Sequence, residues 1–384
     1  MSSEDSRVGA LVIGGHIQGL GITRILGRAG IPVVLLDQTK YNITRFSKYC
    51  MSFFEVKNED LITKLKHFKD HKFYEGWVIY PTNDAHVELL SKNKEHLEPY
   101  FRVTTDCWES VSIFYDKKKT YQLASKLDIP IAKTFFPDTL EDLLVLKVEF
   151  PCIIKPAVMH SFYAQTSQKV FVCRDIQSLQ ANYIRASEII PKEEIIVQEI
   201  IQGPSKNQFS ACFLFLNKQS YIWLTACRMR QHPIDFGNAT TYAETVDLIE
   251  LKVYAEKILA AANYNGLCEV EFKLDSRDNT YKFLEVNTRT WKWHAIANKA
   301  ETPFVKTYFD YLIGKEIEKT TTFKHASFRH LITDFPTQLK LWKLGFDYAF
   351  RRQDNCENAV YDSADIKPWI MEKLLLPILI FTRS

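Results

Sequence analysis

Apolar runs and helical periods alternate through the first third of the chain. Val8–Ile13 and Ile31–Leu36 are continuous apolar runs that predict buried strands, and Gln18–Ala29 between them repeats apolar residues at helical spacing. Trp77–Tyr80 predicts another strand of the same kind. Buried strands that alternate with helices pair in parallel, so the pattern predicts a Rossmann-like N-terminal domain with a doubly wound sheet.

A run of glycines after the first predicted strand raises the alternative of a dinucleotide site. The fingerprint of such sites requires a glycine where His16 stands, so the spacing between Gly14 and Gly21 does not match it. Asp37 could bind a ribose hydroxyl, although an acidic residue after a strand is also a common surface feature. We expect this region and Thr82–Asp84 to contact substrate rather than a nicotinamide.

From Asp116 onward the pattern changes to strands joined by turns as well as by helices. Predicted helices cover 117–127 and 246–262, and predicted strands cover 150–154, 170–173, 195–201, 208–216, 220–228, 267–274 and 281–287, with a polar loop at 160–168. The chain beyond Gly314 carries aromatic and basic residues without an identifiable motif. Its apolar tract Leu374–Phe381 predicts a packed terminal segment, with contact to a membrane surface as the lesser alternative.

The last two predicted strands form the most informative segment, a hairpin with a turn-rich tip. If the tip is symmetric about Asp278, Glu271 lies opposite Glu285 and Glu269 lies opposite Asn287. All four side chains are at odd positions, so they share one face of the hairpin. The even positions form a mainly apolar face, to which Lys282 is the exception.

Acidic side chains that face each other across two strands need a compensating charge. Like charges directly opposite destabilise a sheet, and no comparable basic set stands across from them. Carboxylate and amide oxygens suit Mg²⁺, which completes its shell with phosphate and water. The hairpin therefore predicts a magnesium site, against the alternative of a solvated acidic face with Lys273 as a local partner.

Composition and charge exclude several other classes of protein. The 384 residues suit two or three domains, and 46% hydrophobic with 25% charged residues is a globular composition. The net charge of +3 gives no basis for binding nucleic acid. The eight cysteines form no Cys-x-x-Cys pair, which argues against zinc and favours reduced thiols in a cytoplasmic protein. The start lacks the features of a signal peptide, and we expect no stable membrane insertion.

The residues of the hairpin resemble the metal-binding hairpin of ATP-grasp enzymes. That motif has a glutamate on its first strand, Glu-x-Asn on its second, and an arginine two residues later. The resemblance implies that Glu271, Glu285 and Asn287 are metal ligands and that Arg289 is catalytic. Glu269 is an additional acid to which the resemblance assigns no role.

Other landmarks of the family occur in the same order along the chain. Asp116-Lys117 before a predicted helix resembles the first ATP-binding lysine, and Ile153-Ile154-Lys155-Pro156 resembles the second. Val197-Gln198-Glu199-Ile200-Ile201 resembles the hinge strand whose backbone pairs with adenine. The cofactor-binding residues implied are Lys117, Lys155, Gln198, Glu199, Ile200 and Ile201.

Within that family, the chain is most similar to predicted carboxylate–amine ligases related to D-aspartate ligases. Four short segments carry this similarity: Ser47-Lys48-Tyr49, Ser161-Phe162-Tyr163 after Lys155-Pro156, Arg228-Met-Arg230-Gln and Asp365-Ile-Lys367-Pro368. It implies an α/β and α+β fold: a Rossmann-like domain followed by a two-part ATP-grasp fold. The expected divisions are residues 1–112, a small subdomain at 113–190, a large subdomain with the hairpin at 191–314, and a C-terminal extension at 315–384.

Two features depart from the family pattern. The loop after Lys155 lacks the glycines that many members fold over the phosphates, so either Ser161 and Gln165 take that role or the loop becomes ordered when substrate binds. The segment after the hinge lacks the acid that binds the ribose hydroxyls, which leaves Asn207 or Gln208 as substitutes.

The resemblance implies an ATP-dependent ligase that activates a carboxylate as an acyl phosphate and joins it to an amine, with an amino acid among its substrates. Arg230 or Arg228 would bind the substrate carboxylate through two parallel hydrogen bonds, unless they are ordinary surface arginines. ATP and Mg²⁺, or Mn²⁺ in its place, are the expected cofactors. A carboxylase, another acyl-phosphate enzyme and a non-catalytic nucleotide-binding module are the alternatives. The expected partners are a small carboxylate and a small amine, and a homodimer stays open.

Overall fold

The structure is a computed structural model that describes residues 8–234, 239–352 and 354–381. Three β-sheets organise these residues, one parallel, one antiparallel and one mixed. The mixture of parallel and antiparallel sheets agrees with the predicted combination of α/β and α+β parts.

The N-terminal sheet contains five strands within the described ranges, and all of them pair in parallel. The strands are β1 (Ala10–Ile13), β2 (Val33–Asp37), β3 (Cys50–Glu55), β4 (Val78–Pro81) and β5 (Arg102–Val103). The accompanying helices are α1 (Ile17–Arg28), α2 (Leu61–Lys69), α3 (Asp84–Lys92), α4 (Lys94–Leu97) and α5 (Trp108–Tyr115). The strand order is β3-β2-β1-β4-β5. The chain therefore adds β2 and β3 on one side of β1 and then β4 and β5 on the other side, which makes the boundary between β1 and β4 a topological switch point. Ligands in open parallel sheets bind beside such a switch point.

The turn after β1 is built for close packing rather than for a nicotinamide. Gly14 has φ +104°, and a Cβ atom there would lie 2.0 Å from the Thr82 hydroxyl oxygen. The Asp37 carboxylate accepts hydrogen bonds from the backbone N–H groups of Gly15 and Thr39. Because Asp37 is committed to this turn, the structure gives no support to a ribose-binding role for it.

A small antiparallel sheet follows, with order β6-β9-β7-β8 among the described strands. Its strands are β6 (Thr134–Phe135), β7 (Cys152–Pro156), β8 (Phe171–Cys173) and β9 (Ile195–Glu199). The helices of this part are α6 (Lys117–Lys126), α7 (Leu140–Leu144), α8 (Met159–Thr166) and α9 (Ile176–Ser187). The side chains of β7 and β9 are all buried, which agrees with their continuous apolar sequence.

The loop expected at 160–168 was predicted wrongly, because α8 occupies most of it. Phe162 is fully buried, and its ring lies 4.9 Å from that of Phe171, so one aromatic anchors this segment as a helix. Gln165 is exposed on α8, and the side chain of Ser161 is outside the described part of the structure. The roles suggested for those two residues remain predictions.

The largest sheet has order β14-β13-β10-β11-β12-β15-β16 in the described residues. Its strands are β10 (Gln208–Leu216), β11 (Gln219–His232), β12 (Ala239–Thr245), β13 (Gly266–Asp275), β14 (Thr280–Asn287), β15 (Ser327–Arg329) and β16 (Cys356–Asn358). The helices are α10 (Ile249–Ala261), α11 (Ala297–Ala300), α12 (Phe304–Leu312), α13 (Leu331–Lys343) and α14 (Lys367–Phe381). The predicted C-terminal extension thus contributes two strands to this sheet. The four-part division of the chain remains a prediction.

A buried ionic network joins the two ends of the chain. Asp365 accepts hydrogen bonds from Arg24 Nε at 2.9 Å, from Ser47 Oγ at 2.7 Å and from the backbone N–H of Lys48 at 2.9 Å. Two of the short motifs singled out in the sequence therefore meet each other. The network fixes the segment directly before α14 against the N-terminal domain.

No helix in the described ranges is long and apolar enough to cross a membrane.

Candidate active site

A cavity of about 1250 Å³ lies where the three sheets meet. The N-terminal sheet contributes residues that follow β1 and β4, including Gln18 and Asp84. The small sheet contributes β7 and β9, and the large sheet contributes β11, β13 and β14. Ligand pockets commonly measure about 300–1,000 Å³, so this cavity has room for a nucleotide and a second substrate.

The predicted register of the hairpin is confirmed where the acidic residues lie. Glu271 is opposite Glu285, and Glu269 is opposite Asn287. Toward the tip the register shifts by one residue, and Phe272 pairs with Phe283. Symmetry about Asp278 is therefore wrong for the tip itself.

The shift is a β-bulge that leaves Leu284 without a partner on β13. Leu284 lines the cavity, and its carbonyl accepts a hydrogen bond from the Tyr121 hydroxyl at 2.9 Å. The bulge also explains why Lys282 broke the predicted alternation. Beyond the bulge Lys282 stands opposite Lys273 and donates to Asp275 at 2.6 Å.

Glu271 is held by three donors at the floor of the cavity. Arg228 Nη2 lies 2.8 Å from one carboxylate oxygen, and Asn287 Nδ2 lies 3.1 Å from the same oxygen. Gln208 Nε2 lies 2.5 Å from the other oxygen. This contact commits the Gln208 amide to the hairpin rather than to a ribose.

Glu269 lies beside Glu271 in a more enclosed position. It accepts from Ser210 Oγ at 2.9 Å, from the Trp293 indole at 3.1 Å and from Asn287 Nδ2 at 3.1 Å. Burial, together with the negative charge of Glu271, raises the pKa of Glu269 to about 8. A pocket that raises the pKa of a carboxyl group in this way favours an additional cation.

Glu285 forms an ion pair with the first predicted ATP-binding lysine. Lys117 Nζ lies 2.6 Å from its carboxylate. The positive charge of Lys117 lowers the pKa of Glu285 to about 2, against the opposing effect of burial. Burial would lower the pKa of Lys117, but the Glu285 charge outweighs it and raises that pKa. Both groups are therefore charged across the physiological pH range.

The second predicted lysine is buried at the other side of the cavity. Lys155 Nζ donates to the Tyr121 hydroxyl at 2.6 Å and to the Gln198 side-chain carbonyl at 2.8 Å. Gln198 in turn donates to Thr134 Oγ1 at 2.8 Å, which fixes the orientation of its amide. Each partner of Lys155 is neutral, so its positive charge remains available to an anionic ligand.

The four predicted hinge residues all line the cavity. Gln198 and Glu199 end β9, and Ile200 and Ile201 follow it. Lys273 Nζ donates to the Ile201 carbonyl at 2.8 Å. The apolar side chains and the strand-end backbone here suit a flat aromatic ring such as adenine.

Arg289 links the hairpin to the N-terminal sheet. Its guanidinium holds both carboxylate oxygens of Asp84, at 2.7 and 3.1 Å, and also donates to the Asn287 side-chain carbonyl at 3.2 Å. The Asp84 charge raises the pKa of Arg289 against the effect of burial. Asp84 begins α3, in the segment where substrate contacts were expected.

The hairpin residues fit a magnesium ion by the chemistry of their oxygens. The described residues contain no group of three or more His, Cys, Asp and Glu side chains arranged to hold a metal. The predicted set instead consists of two carboxylates, Glu271 and Glu285, and the amide oxygen of Asn287. Mg²⁺ usually takes only one or two carboxylates from the protein and the rest from phosphate and water. Here Arg228 and Lys117 compensate those carboxylates.

The expectation that Arg230 contacts substrate is contradicted. Arg230 is fully buried, and its guanidinium forms two hydrogen bonds to Asp334, at 2.8 and 2.9 Å, and one to the Arg351 carbonyl. Residues two apart on a regular strand share a face, so Arg228 and Arg230 would be expected on the same side. An irregularity in the pairing of β11 separates them, so that Arg228 reaches the hairpin while Arg230 packs against α13. Arg228, the alternative left open, lines the cavity.

Several cavity residues were not predicted from sequence. Lys169 lines the cavity, and burial lowers its pKa although Glu285 and Glu271 oppose that effect. Lys292, His330 and Glu372 also line the cavity. These residues stand alone in sequence, so no spacing pattern could have identified them.

Asn207, a predicted substitute for the ribose acid, donates instead to the Leu274 carbonyl at 3.2 Å.

Comparisons with known proteins agree with this geometry. The family model "Carbamoyl-phosphate synthase L chain, ATP binding domain" matches residues 230–318, a range that contains the hairpin and Arg289. A D-aspartate ligase from Enterococcus faecium is 25% identical over 230 residues, which cover 56% of this chain and 53% of that protein. The chain therefore spans about half the length of this curated relative.

Solved structures share the fold at low identity. An L-amino acid ligase from Bacillus licheniformis has a TM-score of 0.61 at 13% identity, covering 80% of this chain and 75% of its own. The biotin carboxylase of Campylobacter jejuni, solved as a β,γ-ATP complex, has a TM-score of 0.66 at 15% identity, covering 84% and 75%. These sequence similarities agree with the predicted resemblance to ATP-grasp enzymes, and the solved structures confirm the predicted fold class.

Proposed function

We propose that the protein is an ATP-dependent ligase that joins a carboxylate to an amine through an acyl phosphate. The observation that carries this proposal is the convergence, in one cavity, of the Glu271–Glu285–Asn287 set, the two lysines Lys117 and Lys155, and the hinge after β9. The names of the similar D-aspartate ligase and L-amino acid ligase support the same class of reaction.

A free carboxylate does not react with an amine near neutral pH because its oxygen is a poor leaving group. In the first step a carboxylate oxygen attacks the γ-phosphorus, and the bond to the β–γ bridging oxygen breaks to release ADP. In the second step the neutral amine attacks the acyl carbon, phosphate leaves with the electron pair of the C–O bond, and the amine loses a proton. The protein contributes position and charge to both steps.

In this proposal the lysines and the arginine stabilise negative charge. Lys155 has only neutral partners and neutralises phosphate oxygens, and Lys117 does so after exchanging Glu285 for the nucleotide. Arg289, held by Asp84 at the cavity wall, faces the position where the acyl group reacts. Magnesium held by Glu271, Glu285 and Asn287 would supply charge compensation to the phosphates.

The test is ADP release in the presence of Mg²⁺, measured with a panel of small carboxylates and amines. We expect release that requires both a carboxylate and an amine, with a new amide in the products. Release that depends on bicarbonate instead of an amine would assign the site to a carboxylase. No nucleotide binding at all would remove the proposal.

A further inference from the structure

One region of the cavity is not used by the nucleotide and metal roles described above. We call it the C-terminal end, and it consists of Gln231, Lys292, His330 and Glu372, all of which line the cavity. Arg228 also lines the cavity and contacts Glu271, so it stands between this region and the hairpin. The proposal below rests on the proposed ligase function and concerns its substrate.

Two cations in this region lack full compensation. Arg228 is 6% exposed, and its Nε is buried without a hydrogen-bond partner among the described residues. Lys292 forms no ion pair within 4 Å with any residue in the described ranges, and burial and the nearby charge of Arg228 lower its pKa to about 8. A buried guanidinium edge and an unpaired ammonium that share a cavity wall fit a carboxylate.

The acceptors of this region fit a cation. Glu372 is 9% exposed, and His330 Nε2 lies 2.6 Å from its Oε1. Thr333 Oγ1 lies 2.9 Å from His330 Nδ1, so both ring nitrogens are engaged and the ring orients the carboxylate. Gln231 is 5% exposed, its Nε2 donates to the Ile234 carbonyl at 2.9 Å, and its Oε1 is buried without a partner within the described part of the chain.

Buried polar atoms without partners are rare in folded proteins because each costs about 1–3 kcal/mol. Here an unpartnered donor and an unpartnered acceptor belong to two residues that line one cavity, Arg228 and Gln231. We propose that the C-terminal end binds a free amino acid, whose carboxylate contacts Arg228 and Lys292 and whose ammonium group contacts Glu372 and Gln231. Because Arg228 also holds Glu271, the bound carboxylate lies beside the hairpin and is the one that is phosphorylated.

The packing of the C-terminal segment explains how Glu372 and His330 are positioned at this site. Glu372 is on α14, which begins two residues after Asp365, and Asp365 is fixed by Arg24, Ser47 and Lys48. His330 directly follows β15 in the large sheet. Residues beyond 314 therefore complete a substrate pocket rather than form a separate appendage.

The experiment traps the acyl phosphate with hydroxylamine, so that the carboxylate substrate is tested without its natural amine. Alanine and D-aspartate are compared with propionate and succinate, which lack only the amino group. We expect hydroxamate from an amino acid and little from its deaminated analogue. Glu372→Gln should raise the KM for the amino acid at least about tenfold, the cost of losing a charged hydrogen bond, while the KM for ATP stays constant.

Lys373→Gln is the matched control, because Lys373 is exposed on the same helix and its ammonium group lies over the Trp369 ring. We expect wild-type kinetics from it. Equal hydroxamate from amino acids and deaminated acids, or an unchanged amino-acid KM in Glu372→Gln, would overturn the proposal. If no carboxylate releases ADP, the ligase proposal fails, and calorimetric titration with the same amino acids tests the site alone: binding weakened by Glu372→Gln supports the site, and no binding overturns it.

Discussion

The two ends of the cavity differ in how fully their polar and charged side chains are paired with other protein groups. At the hairpin end, which consists of Lys117, Glu271, Glu285 and Asn287, the charged side chains pair with protein partners. At the C-terminal end, Lys292 has no ion-pair partner within 4 Å among the described residues, and Gln231 keeps a buried oxygen without a donor. The hairpin end must exchange partners when a ligand binds, whereas Lys292 and Gln231 at the C-terminal end gain partners for these groups.

This difference indicates different sensitivities to mutation. A residue with existing protein partners affects both the fold and the ligand, so each variant needs a measurement of folding. A residue without partners contributes little to the fold, and its loss acts on the ligand.

The largest effect is expected from Glu285→Gln at the hairpin end. Removing one metal-ligand charge, and the ion pair with Lys117, should lower the rate of ADP release by about 1000-fold, the upper end of the range for loss of one electrostatic group in an active site. The measurement is steady-state ADP release with saturating Mg²⁺ and substrates, with circular dichroism to verify the fold.

Asp278→Asn provides the control for that variant, because Asp278 is half-exposed at the tip of the same hairpin and pairs with Lys282. We expect its activity to stay near that of the wild type. Equal losses in the two variants would mean that the hairpin responds to any change and would remove the special role of Glu285.

Arg230→Met tests the correction to the sequence prediction. Breaking a fully buried pair leaves Asp334 with an uncompensated charge, so the free energy of unfolding should fall by about 3–5 kcal/mol. Urea denaturation measures this change. If the variant unfolds like the wild type yet loses its affinity for the carboxylate substrate, Arg230 is a substrate residue after all.

Lys155→Met should lower kcat/KM for ATP by about 100-fold, the effect of removing one preorganised charge from a transferring phosphoryl group. Lys118→Met is the comparison, since Lys118 lies on the outer side of α6 and donates to the Glu193 carbonyl. Equal kinetics in the two variants would contradict the assignment of Lys155 to the nucleotide.

The smallest effect concerns the pH dependence of the C-terminal end. Burial, together with the charge of Arg228, lowers the pKa of Lys292 to about 8, and Glu372 and Asp334 oppose this shift. The carboxylate needs the charged form, so affinity is complete below that pKa and falls as pH rises through it, by about tenfold one unit above. His330 also faces Lys292, and burial lowers the pKa of His330, so the ring is neutral throughout this range.

The check is the KM of the amino acid between pH 7 and pH 9.5 in the wild type and in Lys292→Arg. Arginine stays charged at these pH values, so the variant should show a flatter profile. Identical profiles would assign the pH dependence to the substrate's own ammonium group and not to Lys292.

The contrast between the two ends also decides what the sequence could predict. Glu271, Glu285 and Asn287 belong to one hairpin, so a period of two residues was sufficient to place them on one face and in register. The bulge at Leu284 was not predictable, because the loop length alone suggested a symmetric tip. It moved Phe283 into the apolar core and Lys282 to the polar face.

The C-terminal end is assembled from residues far apart in the sequence, which meet only after the sheets and α14 have packed. Gln231, Lys292, His330 and Glu372 share no motif, and no local pattern distinguishes them from surface residues. The error at Arg230 has a related cause, since Arg228 and Arg230 are equivalent by period, and an irregularity in β11 pairing turns Arg230 toward Asp334 on α13. The helix α8 was missed because a single buried aromatic, Phe162, determined its packing.

The most direct test of the hairpin as a metal site follows Mn²⁺ by electron paramagnetic resonance, with a non-hydrolysable ATP analogue present. We expect the wild-type protein to bind Mn²⁺ together with the nucleotide and Glu285→Gln to bind at least about tenfold less at the same concentrations. Equal binding in the two proteins would show that the ion binds elsewhere and would contradict the assignment of the hairpin as the metal site.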